Sequence, residues 1–177
     1  MALPWFSWFK IAVFALLACN ALVFMLAGTA SEALDAAAWL ILLALFELET
    51  SFGDRFGQRH WATINRAVRL AATVAIGAAA VGYVYEHAWL DAVNAWLWIA
   101  VVVLLEFEVR HPRAVGRHRT AFSAAAAALY TGLAAVIPVW AWRGEWFDAY
   151  DALLWLIAFA TIEINVLRIS RAEASRV

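Results

Sequence analysis

Six long runs of apolar residues constrain the fold of this chain more than any other feature. A transmembrane helix needs about 20 consecutive, predominantly apolar residues to cross the hydrocarbon core of a bilayer. Hydrophobic residues make up 66% of the chain and charged residues 15%, whereas soluble domains hold about half and about a quarter. We therefore predict an all-α integral membrane protein with six transmembrane helices, forming a single membrane domain over residues 1–177. The predicted helices lie at about 10–28, 36–51, 67–85, 91–109, 120–141 and 149–168.

The first run also resembles a secretory signal peptide. Lys10 precedes it, and Gly28-Thr29-Ala30 resembles a cleavage site made of small residues. Its apolar stretch is long for a signal peptide, and the repeat described below requires a helix there. We therefore expect it to be retained as the first transmembrane helix.

The basic residues predict the orientation. Twelve of the thirteen Lys and Arg lie at Lys10, in segments 54–69 and 110–119, and in the tail from residue 168. Arg143 alone lies on the other side. Because cytoplasmic loops carry the excess of Lys and Arg, we expect both termini to be cytoplasmic, in a cell inner (plasma) membrane. The arginine-rich loops are expected to hold anionic lipid headgroups.

A threefold repeat runs through the second, fourth and sixth runs. The pattern is an acid, then Asp or Asn followed by Ala, then Trp, then Glu eight residues after the Trp. It recurs three times without gaps, so we predict an internal triplication. The tryptophans, expected to pack repeat against repeat, are Trp39, Trp98 and Trp155. The acids and amides at the outer ends are Glu32, Asp91, Asp148, Asp35, Asn94 and Asp151.

Each repeat is a helical hairpin, at about 10–53, 66–110 and 119–168. All three hairpins have the same orientation, so they are parallel repeats related by an axis along the membrane normal. We expect a pseudo-threefold bundle. At about 100° per residue, the repeated acid, Trp and first Glu share one arc of the helix, which favours the bundle interior or a neighbouring repeat. The outgoing helices differ from one another, and two of them are rich in small residues that allow close helix packing.

The glutamates near the arginine-rich side support the main functional hypothesis. They lie at the inner leaflet or its edge, where a buried carboxylate is costly and is a functional candidate. Three on a common face would form a ring that concentrates cations or relays protons, and hard cations prefer such oxygen ligands. We predict a cation (proton or metal ion) channel or transporter. The candidate ion-binding or gating residues are Glu47, Glu106, Glu163, Glu49, Glu108 and Asn165.

The alternative is a non-transporting structural or assembly subunit of a larger membrane complex. Glu106 lies four residues before Arg110, a favourable helical pair, and Glu163 could reach Arg168. In this interpretation the glutamates lock hairpins together through cytoplasmic arginines. The outer acids would mainly stabilise helix N-termini, with a cation-attracting vestibule as their alternative role. The location of the glutamates distinguishes the two functions. Glutamates in a polar central cavity favour transport, and glutamates paired with Arg at the rim favour the structural role.

Other functional classes have little support. The net charge of −1 gives no electrostatic reason to expect nucleic acid. The chain has none of the catalytic motifs of metalloproteases, serine hydrolases or phosphate-binding loops, so a membrane-embedded enzyme ranks third. No cofactor is expected, and the identity of any bound metal stays open. A membrane-protein partner or a homo-oligomer is compatible with the pattern.

Overall fold

The computed structural model describes residues 4–56 and 59–174, with the side chains of 8–49, 61 and 63–161. This part of the chain contains seven α-helices and no strand. Their bounds are α1 Pro4–Ala27, α2 Ala30–Phe56, α3 Arg59–Tyr85, α4 Trp89–Arg110, α5 Pro112–Arg117, α6 Arg119–Arg143 and α7 Trp146–Ala174.

All six predicted helices are present, and each extends beyond its apolar run into the flanking polar residues. Four segments are long and apolar enough to cross a membrane: Trp8–Ala27, Thr63–Tyr85, Trp89–Arg110 and Arg119–Arg143. Helix α2 has 27 residues but carries acids near both ends, which leaves a short charge-free centre. The side chains of α7 beyond residue 161 lie outside the described residues. The prediction of an all-helical protein is thus confirmed for the described residues, and four of the six predicted spans are candidate membrane-spanning helices.

Helix α5 was not predicted from the sequence. Its six residues form one and a half turns between the last residue of α4 and the first of α6. Pro112 occupies its first turn, where the missing N–H costs nothing and the fixed φ suits a helix. Val115 is buried, so this short helix packs one side against the protein.

Contacts group the chain into two units, Met1–Cys19 with Tyr130–Val177, and Asn20–Leu129. In the second unit, α2 and α3 run antiparallel. Ser31, at the start of α2, lies against Gly82 near the end of α3. At the other end, Glu49 of α2 bonds Arg69 near the start of α3. Helices α3 and α4 then form a hairpin whose closed end packs Ala80 and Tyr83 against Ala92 and Ala95.

Two interhelical turns share one hydrogen-bond pattern. After α3, the N–H of Ala88 donates to the carbonyl of Tyr83 and that of His87 donates to Val84. After α6, the N–H of Glu145 donates to Trp140 and that of Gly144 donates to Ala141. Both are Schellman caps, with His87 (φ 60°) and Gly144 (φ 82°) in the left-handed region. The two turns are 57 residues apart, the same spacing as the second and third copies of the sequence repeat.

Burial extends the repeat into the outgoing helices, which share no obvious sequence pattern. Leu17, Ile76 and Leu133 are 1%, 4% and 1% exposed, and they are spaced by 59 and 57 residues. Asn20, Ala79 and Val136 follow the same spacing and are also buried. These helices differ in sequence because their side chains differ in size and polarity. They share the positions at which the side chain is buried.

Candidate functional site

Two of the candidate glutamates on the arginine-rich side form ion pairs. The Glu49 carboxylate accepts a 2.7 Å bond from the guanidinium of Arg69, and it also accepts a bond from the Asn65 amide. The Glu106 carboxylate pairs with Arg110 four residues on, at 2.5 Å. In the first pair the Arg and Glu side chains are 49% and 42% exposed, and in the second 69% and 56%. Both pairs therefore lie at the surface of the chain.

The remaining predicted ion-binding residues fall into two groups. Glu47 is half-buried and interacts with other groups of the protein, and Glu108 is exposed. The side chains of Glu163 and Asn165 lie outside the described residues. Among the described residues, no three acidic, histidine or cysteine side chains converge to hold a metal ion. A glutamate ring that includes Glu163 therefore stays a prediction.

At the opposite side, Thr29 and Glu32 cap the start of α2. The backbone N–H of Thr29 donates to the Glu32 carboxylate at 2.6 Å, and the N–H of Glu32 donates to the Thr29 hydroxyl at 3.2 Å. This reciprocal arrangement is a capping box, which satisfies two N–H groups that the helix leaves without partners. The expected role of Glu32 at a helix N-terminus is thus present in the structure.

Glu86 links the α1–α2 connection to the end of α3. Its carboxylate accepts hydrogen bonds from the Thr29 hydroxyl at 2.9 Å and from the Ser31 hydroxyl at 2.7 Å. Hydrogen bonds to an ionised acceptor are stronger than those between neutral groups. We call Thr29, Ser31 and Glu86 the outer clamp. It joins segments more than fifty residues apart in the sequence.

Beside the outer clamp, the Tyr83 phenol is subject to the charges of acids from the first two repeats. Its phenol interacts electrostatically with Asp35, Asp91, Glu32 and Glu86. Tyr83 itself is buried, at 6% exposed. Asn94, which occupies the position of Asp35 in the second repeat, has a buried Oδ1 without a hydrogen-bond partner. The structure therefore brings the outer polar residues of two repeats together. In the third repeat, Asp148 and Asp151 are partly buried at the start of α7.

The repeated tryptophans of the first two repeats touch each other. The ring centroids of Trp39 and Trp98 are 6.1 Å apart and the rings are tilted by 59°. Both side chains are buried, and each lies nine residues after the first residue of its helix. Trp155 belongs to the other unit, where it is partly buried and lies 6.5 Å from Phe159. Trp39 and Trp98 thus bring α2 and α4 into contact within the second unit.

Sequence reasoning missed the outer clamp and Tyr83. One sequence pattern could have revealed part of it, because Thr29 and Glu32 fit the Thr-x-x-Glu pattern of a capping box. Glu86 had no such pattern, since its partners are distant in sequence. Tyr83 also had none, because only the hairpin packing places it among the acids.

The described chain is helical throughout its elements, and four of its helices are long and apolar enough to cross a membrane, which is the character of a multi-pass membrane protein. Comparisons with protein families, with curated proteins and with solved structures find no match to this chain.

Proposed function

We propose that all six long helices span the membrane, as three parallel hairpins in a pseudo-threefold bundle that forms one domain. The recurring burial at Leu17, Ile76 and Leu133 supports this proposal, as does the pair of Schellman turns. The contact between Trp39 and Trp98 supports it as well, because equivalent residues of parallel repeats meet at the same depth. Both termini lie in the cytoplasm of a cell inner (plasma) membrane.

Cysteine labelling tests this topology. In a Cys19→Ala background, Arg143→Cys should react with a membrane-impermeant maleimide added to intact cells, because 143 lies in an outer turn. Gly116→Cys should react only after the membrane is permeabilised, since 116 lies among the cytoplasmic arginines. Both positions are exposed, and a side chain at Gly116 meets no atom within 4 Å. Labelling of Gly116→Cys in intact cells would refute the orientation.

The function that the geometry supports best is a non-transporting structural or assembly subunit of a larger membrane complex. The observation behind it is the pairing of Glu49 with Arg69 and of Glu106 with Arg110 at the rim of the arginine-rich side. A carboxylate already bound to a guanidinium is a poor ligand for a passing cation, because the cation would have to displace the arginine. Glu49 also connects α2 to α3 through its ion pair with Arg69, which is a structural role.

Glutamine substitutions test this function. Glu49→Gln removes the charge but keeps the side-chain shape, so it should lower the free energy of unfolding by about 1 kcal/mol, the upper range for exposed pairs. Proton, alkali-ion and divalent-metal flux into liposomes should stay at the background of empty vesicles for the wild type and for the variant. Glu108→Gln, at an exposed site, is the matched control and should change neither quantity.

A charge-reversal pair provides the second arm of the test. Glu106→Arg combined with Arg110→Glu keeps a pair of opposite charges four residues apart, so it should recover much of the stability lost in Glu106→Arg alone. Cation flux in the wild type that falls tenfold or more in Glu49→Gln or Glu106→Gln, with unchanged stability, would overturn the structural function.

Cation transport is the second candidate function, and a different observation favours it. Asp35 and Asp91, from two repeats, interact electrostatically with the Tyr83 phenol, as do Glu32 and Glu86. Such a group of acids is suited to attract cations before they cross the bilayer. The glutamates Glu47, Glu106 and Glu163 would then handle the ion at the inner side. The flux assay described above decides between the two functions.

A further inference from the structure

The segment between α4 and α6 is the most strongly basic surface of the described chain. Residues 109–120 contain Arg110, Arg113, Arg117 and Arg119 together with two histidines, and no acid. Arg113, Arg117 and Arg119 are exposed. Arg110 is occupied by Glu106. Three arginines therefore remain for an external anion.

Aromatic stacking holds this segment in place. The rings of Phe107 in α4 and Phe122 in α6 are 5.5 Å apart and nearly parallel, at 13°. The His111 ring stacks on the same Phe107 at 4.5 Å. The end of α4 is thus joined both to the start of α6 and to the residue that precedes α5. The basic segment is accordingly a short ordered helix bounded by two candidate membrane spans, which places it at the level of the lipid headgroups.

Helix α5 separates its apolar and basic sides. Val115 is 8% exposed, and Arg113 and Arg117 flank it by two residues, which places them about 160° away from Val115 around the helix. Residues four apart on a helix are neighbours, with about 5–6 Å between their Cβ atoms. Both guanidinium groups can therefore reach one phosphate, and arginine binds phosphate with two parallel hydrogen bonds.

We propose that α5 is an interfacial helix that binds the phosphate headgroup of an anionic phospholipid through Arg113 and Arg117, with Arg119 beside them. The basic side of α5 lies opposite the buried Val115, so that it faces away from the protein. The adjoining Val109 is 78% exposed and apolar, which suits contact with the upper part of an acyl chain. This site depends on insertion of the chain into a membrane and is independent of whether the protein transports ions.

Native mass spectrometry of the purified full chain in a neutral detergent tests the site. Phosphatidylglycerol and phosphatidylcholine with identical acyl chains are titrated separately. Phosphatidylglycerol should bind at least tenfold more tightly. The Arg113→Gln/Arg117→Gln variant should bind phosphatidylglycerol about 30-fold more weakly, because each basic residue near an anionic lipid contributes roughly fivefold.

Two variants serve as controls. Arg113→Lys/Arg117→Lys keeps both charges but loses the paired hydrogen bonds, so its affinity should lie between those of the wild type and of the glutamine variant. Arg143→Gln removes one arginine that pairs with Glu145 on the opposite side, so phosphatidylglycerol binding should be unchanged. If the glutamine pair fails to fold, Arg117→Gln alone takes its place. Its affinity for phosphatidylglycerol should be about fivefold weaker than that of the wild type, and the lysine pair remains the comparison.

Three results would overturn the proposal. The first is wild-type affinity for phosphatidylglycerol in the glutamine variant. The second is equal binding of phosphatidylcholine. The third is displacement of bound phosphatidylglycerol by inorganic phosphate, or by an acidic polyglutamate peptide, at the lipid's own concentration. That result would assign the arginines to a soluble anion or to a protein partner.

Discussion

Replacing Trp39 or Trp98 with alanine should cost about 3–5 kcal/mol of unfolding free energy, the usual range for removing a buried Trp or Phe side chain. Both indoles are buried, at 8% and 5% exposed, and their ring centroids lie 6.1 Å apart. Truncation of either ring leaves a cavity between α2 and α4, because two backbones held by neighbouring helices close such a gap only in part. Unfolding by denaturing detergent in mixed micelles measures this loss.

The double variant reveals whether the two rings interact directly. An aromatic pair contributes about 0.5–1.5 kcal/mol beyond burial, so the combined loss should be smaller than the sum of the single losses by that amount. Trp96→Ala is the matched control, because Trp96 lies on α4 two residues from Trp98 and is 50% exposed. Its loss should stay below about 1 kcal/mol, as for most surface substitutions. Strict additivity of Trp39→Ala and Trp98→Ala would contradict the contact between the helices.

Alanine at Gly82 should destabilise the protein, and alanine at Gly77 should stabilise it. A Cβ at Gly82 would overlap the Ser31 hydroxyl oxygen and lie 3.3 Å from its Cβ, whereas a Cβ at Gly77 meets no atom within 4 Å. Overpacking typically costs about 1–3 kcal/mol. Alanine in place of glycine inside a helix gains about 0.5–1 kcal/mol where there is room. The two substitutions on α3 should thus have opposite signs in the same unfolding assay.

A rescue variant separates the steric effect from other causes. Ser31→Ala removes the hydroxyl that a Cβ at Gly82 would meet, so Gly82→Ala should be less costly in that background. Ser31→Ala alone has its own cost, because Glu86 then loses one of its two hydroxyl donors. If Gly82→Ala costs as much in the Ser31→Ala background as in the wild type, the close approach of α2 and α3 is not its cause.

The helices were predictable because a membrane-spanning helix needs only a continuous apolar run of about twenty residues, which is visible in the local sequence. The arc shared by the tryptophans also followed from sequence, since helical geometry fixes the angle between residues. Partners across helices were not predictable. Glu49 was a candidate ion-binding residue, and in the structure it bonds Arg69 and Asn65 of the next helix. Helix α5 was missed because six residues bounded by arginines carry too little periodicity to stand out.

Only the structure could extend the repeat to the outgoing helices. Asn20, Ala79 and Val136 differ in size and polarity, so no sequence pattern connects them, but all three are buried at the same spacing. Burial depends on how helices pack, and packing at one position tolerates several side chains when neighbours compensate. The returning helices show their pattern in the sequence because the same residue types, Trp and Glu, recur at the same spacing.

The antiparallel packing of α2 and α3 has a consequence for biosynthesis. Two residues of α2 find their polar partners on α3 or directly after it. Ser31 donates to Glu86, and Glu49 accepts bonds from Arg69 and Asn65. Those partners are translated after α2. A nascent chain that ends after α2 therefore holds the Glu49 carboxylate without the arginine that later compensates its charge. On the proposed six-span topology, we expect α2 to settle into the bilayer only after α3 has left the ribosome.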